Sequence, residues 1–284
     1  MYQLGYSNSM TLDHFFVPPG HFYSPIFLGE EKYKPNSAPS ESEIPMSKYE
    51  QFELLRSITG LGHVFPKSQS GTNLYFSDND QYGDGDAFIF SGVVKFLKPK
   101  RVIEIGSGFS TAVLLDTLNE SKIDAKITAI DPYPQRLEYL LKLSNRRIEL
   151  VPSLEILAKP VQEVDLEIFS ELHSGDILFI DSSHVSKTGS DVNFELFDIL
   201  PKLNSGVWVH IHDMFWPFEY PDAWIEEGRS WNELYMIRAF LTFNSGFRVN
   251  LFQHYLFEEH KEIWNMVQEK GISNPGGGLW LEKI

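Results

Sequence analysis

Val102-Ile103-Glu104-Ile105-Gly106-Ser107-Gly108-Phe109-Ser110-Thr111 is the stretch that decides the fold. The run RVIEI at 101–105 is almost continuously apolar or β-branched, as in a strand covered on both faces, and it breaks at two glycines. A helix is expected to begin at Ser110 or Thr111. Glycine lets backbone approach a ligand closely, and a helix start offers unpaired N–H groups. The stretch predicts a nucleotide-type cofactor at the carboxyl edge of a parallel sheet. A tight strand–helix turn with glycine for geometry alone is the alternative.

Outward from this turn, short apolar runs alternate with amphipathic stretches. Strands are expected at 101–105, 126–131, 147–151, 176–181 and 206–212, and helices near 86–97, 110–119, 134–144, 164–172 and 190–203. A further helix, opened by a Ser230/Glu233 capping box, runs to about Asn244. Strands at 247–256 and 278–283 follow, with no long helix pattern in the latter half of the gap. The alternation predicts an α/β protein: a three-layer αβα sandwich on a seven-stranded, mostly parallel sheet whose last strand inserts antiparallel.

Residues 1–45 lack either period, and Pro18, Pro19, Pro25, Pro35, Pro39 and Pro45 punctuate them. Their aromatics (Phe15, Phe16, Phe22, Tyr23, Phe27) suggest an arm laid over the main domain, with Tyr23-Ser24-Pro25 as part of a lid. Ser47 and Glu50 read as the capping box of a helix that Gly60 stops. The expected organisation is an N-terminal arm and helix over 1–80, then one domain over 81–284.

Composition narrows the function. Among 284 residues, 39 acidic and 24 basic side chains leave a net charge of −15, so nucleic acid is not an expected partner. With zero cysteines there is no disulfide, thiolate nucleophile or Cys-type zinc site, and any metal must be held by His, Asp, Glu or backbone oxygen. Residues 1–30 show no secretory pattern, and no apolar run approaches the ~20 residues of a membrane span. A cytoplasmic location and no membrane partner are expected, with homo-oligomerisation left open.

A second cluster lies where strands four and five end. Asp181-Ser182-Ser183-His184 and His210-Ile211-His212-Asp213 should meet, because the carboxyl ends of neighbouring parallel strands lie side by side. Two carboxylates and an imidazole (Asp181, His212, Asp213) suit a divalent metal with open positions for substrate oxygens. His184 is then the base, and His210, deeper on the strand, a structural residue. Capping of strands and helices is the bland alternative. Asp131, closing the second strand, suits the ribose of either cofactor type, with a helix N-cap before Pro132 as the alternative.

Glu104 two residues before Gly-x-Gly, with Ser110 at a third glycine position and Asp131 one unit downstream, resembles class I S-adenosylmethionine-dependent methyltransferases. The Asp181-x-x-His184 pattern is similar, more narrowly, to their metal-dependent macrolide-sugar O-methyltransferase and cephalosporin-hydroxylase-related branch. The resemblance spans about residues 85–284 and implies a Rossmann-like fold with strand order 3-2-1-4-5-7-6. It implies cofactor contacts from Glu104, Gly106, Ser107, Gly108, Ser110, Asp131, Pro152 and Ser153. Tyr82-Gly83-Asp84-Gly85-Asp86 reads first as a turn and helix N-cap, and the resemblance offers Asp84 or Asp86 near the methionine end as the alternative. It implies metal ligation by Asp181 and Asp213. His212 stands where the branch has an acid, which leaves magnesium, manganese, iron or zinc open, or no metal. The expected activity is methyl transfer to a hydroxyl of a small molecule or sugar. The aromatic loop Met214–Pro221 suits stacking on the acceptor and equally core packing by Trp216 and Phe218. A nicotinamide-dependent oxidoreductase is disfavoured, since Thr111 stands at the third glycine of G-x-G-x-x-G. A metal-dependent hydrolase or oxygenase, and a non-catalytic relative, are the other readings.

Overall fold

In the computed structural model, residues 16–27, 38–69, 73–143 and 153–284 are described. Seven strands form one sheet: β1 (Arg101–Ile105), β2 (Lys126–Ile130), β3 (Leu154–Leu157), β4 (Ile177–Ile180), β5 (Trp208–Ile211), β6 (Phe247–Phe252) and β7 (Leu279–Lys283). Their order is β3-β2-β1-β4-β5-β7-β6, and β7 alone runs antiparallel to its neighbours. Sheet and order agree with the expectation, and the helices on both faces make it Rossmann-like.

Strand periodicity sorts the core into two layers. Ile103, Ile105, Leu178, Ile180, Val209 and Ile211 face one side, against α5 (Glu167–Ser170), α6 (Asp191–Phe194) and α8 (Glu233–Leu241). Val102, Ile127, Ile177, Phe179, Trp208 and Trp280 face the other, against α2 (Asp84–Leu97), α3 (Phe109–Ser121) and α10 (Lys261–Gln268). Each such Val, Leu, Ile or Phe side chain contributes roughly 1.5–3 kcal/mol on burial. Glu104, His210 and His212 share the parity of Val102 and Trp208, so these polar groups enter the α2–α3 layer.

Several elements differ from the sequence reading. The run 147–151 lies outside the described residues, and the strand paired with β2 is Leu154–Leu157. The strand expected over 247–256 ends at Phe252 and turns into α9 (Gln253–Glu259), which α10 follows at once, so the first half of the gap is helical and the latter half, as expected, is not. The helix near 164–172 shrinks to one turn. That over 190–203 is broken, passing from α6 through a π-type stretch at Glu195–Ile199 into a 3-10 turn at Leu200–Lys202.

Neither expected capping box forms. Ser47 has a left-handed backbone (φ 37°) and its side chain caps nothing ahead of α1 (Lys48–Thr59). Helix α8 begins at Glu233 itself, after Asn232, and Ser230 lies outside it. Helix α1 buries Leu55 and Ile58 against α2 and packs on β6 and α10, and Gln51 Oε1 accepts from Phe252 N at 2.8 Å. Among the described residues of the arm, the aromatics Phe16 and Phe22 are 94% and 89% exposed, and Tyr23 and Phe27 are exposed too. Phe15 lies outside the described residues.

Candidate active site

The turn after β1 is built around Gly106. Its φ is +83°, and a β-carbon there would stand 1.8 Å from the Asp181 carbonyl oxygen, so only glycine lets β1 and β4 end this close. Behind the turn, buried Glu104 accepts from Ser110 Oγ and Thr111 Oγ1, each at 2.5 Å, and Thr111 Oγ1 accepts from Gly108 N at 3.0 Å. Burial pushes the Glu104 carboxyl up to about 8, against the two hydroxyl bonds that lower it. Glu104 and Ser110 thus pin the start of α3 to β1. They do not reach the cavity in front of the turn, where they were expected among the cofactor contacts.

That cavity, of about 930 Å³, opens at the carboxyl ends of β1, β2, β4 and β5. Its size is typical of small-molecule sites. Gly106, Ser107 and Asp131 line one end, with Pro132, Tyr133 and Arg136. Asp131 Oδ2 accepts from Ser107 N (3.0 Å) and Oγ (2.8 Å), and Oδ1 from Tyr133 N (2.7 Å). Gly108 is not in the lining; it backs onto the Arg136 side chain.

The remaining contacts expected at this end need correction. Pro152 lies outside the described residues. Ser153 precedes β3 rather than following it: its carbonyl accepts from Ile127 N and its hydroxyl donates to Ala125 O at 2.6 Å, at the amino edge of the sheet. The residues that do follow β3 and line the cavity are Pro160, Val161 and Gln162. Placing the third strand at 147–151 put the residues after it too early in the chain. Asp84 and Asp86 also stay out of the lining, where Asp80 and Gln81 appear. Asp86 is buried, raised to about 6 by that burial, and accepts from Gly277 N at 3.1 Å.

At the other end Asp181, His184, His212 and Asp213 come together. Ligand atoms of Asp181, His212 and Asp213 all lie within 4.8 Å of one another. His212 Nε2 is 3.5 Å from Asp213 Oδ1, and His184 Nε2 stands 3.5 Å from Asp181 Oδ1 and 3.4 Å from Asp213 Oδ2. Bonds of about 2.0–2.2 Å to a divalent ion would place such donors roughly 3–4 Å apart, so the set fits one with little movement. Burial alone would lower the His212 pKa, but Asp213, Asp181 and Asp86 outweigh it and raise it. His210 Nε2 lies 3.3 Å from His212 Nδ1, and its own Nδ1 is buried without a partner. Burial drives His210 well below the usual imidazole value, which keeps it neutral behind His212.

His184 is held on every side. Its backbone is left-handed (φ 59°), and its carbonyl accepts from Asn232 N and Glu233 N at 3.0 and 3.1 Å. Its Nδ1 faces buried Glu233 Oε2 at 2.8 Å, and the Trp231 ring lies 4.5 Å from its own. Burial would depress this imidazole, yet its bonds to Asp181 and Glu233 raise it well above the usual value. The sequence reading missed Glu233 by giving it to a capping box. The signal that could have found it is an acid at the start of a helix placed beside β4 and β5. The loop Met214–Pro221 is also not the acceptor wall. Met214, Trp216, Phe218 and Tyr220 are buried in the core, and the indoles that line the cavity are Trp224 and Trp231.

Residues 103–214, from β1 through the Asp181–Asp213 cluster, match the family model described as a methyltransferase domain. These residues form a methyltransferase domain, in agreement with the resemblance to class I S-adenosylmethionine-dependent methyltransferases. An uncharacterized protein of Archaeoglobus fulgidus is 31% identical over 172 residues, which cover 56% of this chain and 75% of that protein. Among solved structures, the O-methyltransferase TomG from Streptomyces achromogenes, in complex with SAM, is similar at 12% identity and a TM-score of 0.42, over 71% of this chain and 80% of its own. A cmcI structure with Mg and SAM is similar at 16% identity and a TM-score of 0.41, over 74% and 78%.

Proposed function

We propose that the chain methylates a hydroxyl oxygen of a small molecule or sugar, with a divalent cation assisting. The observation that supports this best is one cavity holding Gly106, Ser107 and Asp131 at one end and Asp181, His184, His212 and Asp213 at the other. Gly106 and Ser107 would lie against S-adenosylmethionine, and Asp131 would accept from its ribose hydroxyls in place of Ser107. The cofactor supplies the methyl group on a sulfonium. Asp181, His212 and Asp213 would hold the cation, which binds acceptor oxygens and lowers the hydroxyl pKa.

His184 Nε2 takes the acceptor proton as the oxygen–methyl bond forms and the sulfur–methyl bond breaks, releasing S-adenosylhomocysteine. Glu233 fixes the ring so that Nε2, and not Nδ1, faces the cavity. In the metal-free site the neighbouring carboxylates hold a proton on His184. A cation between Asp181 and Asp213 would offset their charge, freeing Nε2 as a base. Positioning of acceptor and methyl group supplies most of the rest.

Incubation with methyl-labelled S-adenosylmethionine, a divalent cation and a panel of hydroxylated acceptors tests this. Label in an ether-linked methyl, lost in His184→Ala while cofactor binding survives, is the expected result. Label transferred to nitrogen or carbon acceptors alone would contradict it.

A further inference from the structure

We infer that the outer wall of this cavity selects acceptors whose ring carries, besides the methylated hydroxyl, an anionic group, carboxylate or phosphate. The inference rests on the reading of methyl transfer above. The wall consists of Lys187, Trp224, Arg229 and Trp231. The indole of Trp231 links its two functions. It lies 4.5 Å from the His184 ring, and the Arg229 guanidinium sits 4.9 Å from its centroid. A ring bound beside this indole therefore has both the base and a cation within reach.

The cation is fixed in advance. Arg229 also packs 4.3 Å from the Trp224 centroid, and its Nε donates to Glu227 Oε2 at 2.8 Å. Its terminal nitrogens make no hydrogen bond among the described residues, and Lys187 makes no ion pair among them. A guanidinium stacked on two indoles has lost most of its freedom before a ligand arrives, so less entropy opposes a bidentate bond to an oxyanion. The acid on this wall, Asp191, is occupied: it accepts from Ser183 N (3.0 Å), Ser183 Oγ (2.5 Å) and Val192 N (2.9 Å). In a chain of net charge −15, Lys187 with no ion pair among the described residues and Arg229, ion-paired to Glu227 through Nε but with its terminal nitrogens open, mark a place for a local anion.

Calorimetric titration of the full chain with S-adenosylhomocysteine and magnesium present tests this with 3,4-dihydroxybenzoate, 3,4-dihydroxyphenyl phosphate and the neutral 3,4-dihydroxybenzamide. One or both anions should bind at least about tenfold tighter than the amide, and which does so tells carboxylate from phosphate. In the Arg229→Gln, Lys187→Gln double variant the anion should fall to within about threefold of the amide, with the amide unchanged. Equal binding of anion and amide by the unaltered chain overturns the proposal. So does a preference that survives the double variant, or no binding of any probe while S-adenosylhomocysteine binds. Absence of S-adenosylhomocysteine binding instead overturns the methyl-transfer reading, and this inference with it.

Discussion

At His184 and Asp213 the backbone is left-handed, with φ of 59° and 56°. Residues with a β-carbon adopt that conformation at a cost of about 1–3 kcal/mol, so the surrounding structure must hold them there. For His184 the hold comes from one segment, 231–233, through ring contact, two N–H groups and a carboxylate. If Glu233 positions the base, Glu233→Ala should lower kcat about 10–100-fold, the range seen for partners that orient a functional histidine. KM for the acceptor and the affinity for S-adenosylmethionine should stay within twofold, and Glu233→Gln, which still accepts from Nδ1–H, should restore much of the rate. A loss of thermal stability with kcat unchanged would reduce Glu233 to a structural role.

Glu104 makes a different prediction. Its folded carboxyl keeps a proton up to about pH 8, whereas an unfolded one releases it near 4.5. Between those values the folded state binds more protons, so this group's contribution to stability is present below pH 4.5 and lost as pH rises through 8. The stability of the native chain relative to Glu104→Gln should therefore decline from pH 5 to 8, by an amount on the order of a few kcal/mol. Denaturant unfolding at several pH values measures it, and a pH-independent difference would contradict the assignment.

Among the elements, those with continuous apolar runs were legible: β1, β2, β4, β5 and β7 lie within a residue or two of where the sequence puts them. The third strand was not, because RIELV at 147–151 and LEIL at 154–157 carry the same signal and nothing local separates them. At 247–256, apolar residues continue past Phe252 while the backbone changes from strand to α9, and a short run cannot show that change. The Ser-x-x-Glu pattern misled twice, since Glu233 gains more from a buried imidazole than from the helix start. The converse case is Ser190, whose hydroxyl accepts from Asn193 N at the head of α6 and from Lys187 N. Ser190→Ala should cost about 1 kcal/mol, as loss of a cap does, and Ser230→Ala less than about 0.5. Equal costs in chemical denaturation would mean that α8 starts where the sequence suggested.

Over the whole molecule, the glycine turn and the strand-end cluster could be placed together from sequence because a parallel sheet gathers its carboxyl ends. Which acids face the cavity could not. Glu104 and Asp86 point into the α2–α3 layer, a matter of strand parity and packing that motif spacing does not report. The outer wall was out of reach as well: Trp224 sits in a short helix, α7 (Asp222–Glu226), and Arg229 and Trp231 in the segment after it, whose path follows tertiary contacts. Among the described residues no helix is long and apolar enough to cross a membrane. The net charge of −15 favours approach of a cationic sulfonium and a divalent ion, and it makes cations at the cavity wall necessary for any anionic acceptor.

The central claim, that one cavity takes S-adenosylmethionine at Gly106–Asp131 and a cation at Asp181–Asp213, is tested most directly by calorimetry. Metal-stripped protein is titrated with S-adenosylmethionine, then with magnesium, manganese or zinc, and with NADH as a control. The account predicts micromolar binding of S-adenosylmethionine, no heat from NADH, and a separate cation heat that Asp213→Ala abolishes while leaving cofactor binding intact. Binding of NADH without S-adenosylmethionine, or a cation heat that survives Asp213→Ala unchanged, would contradict it.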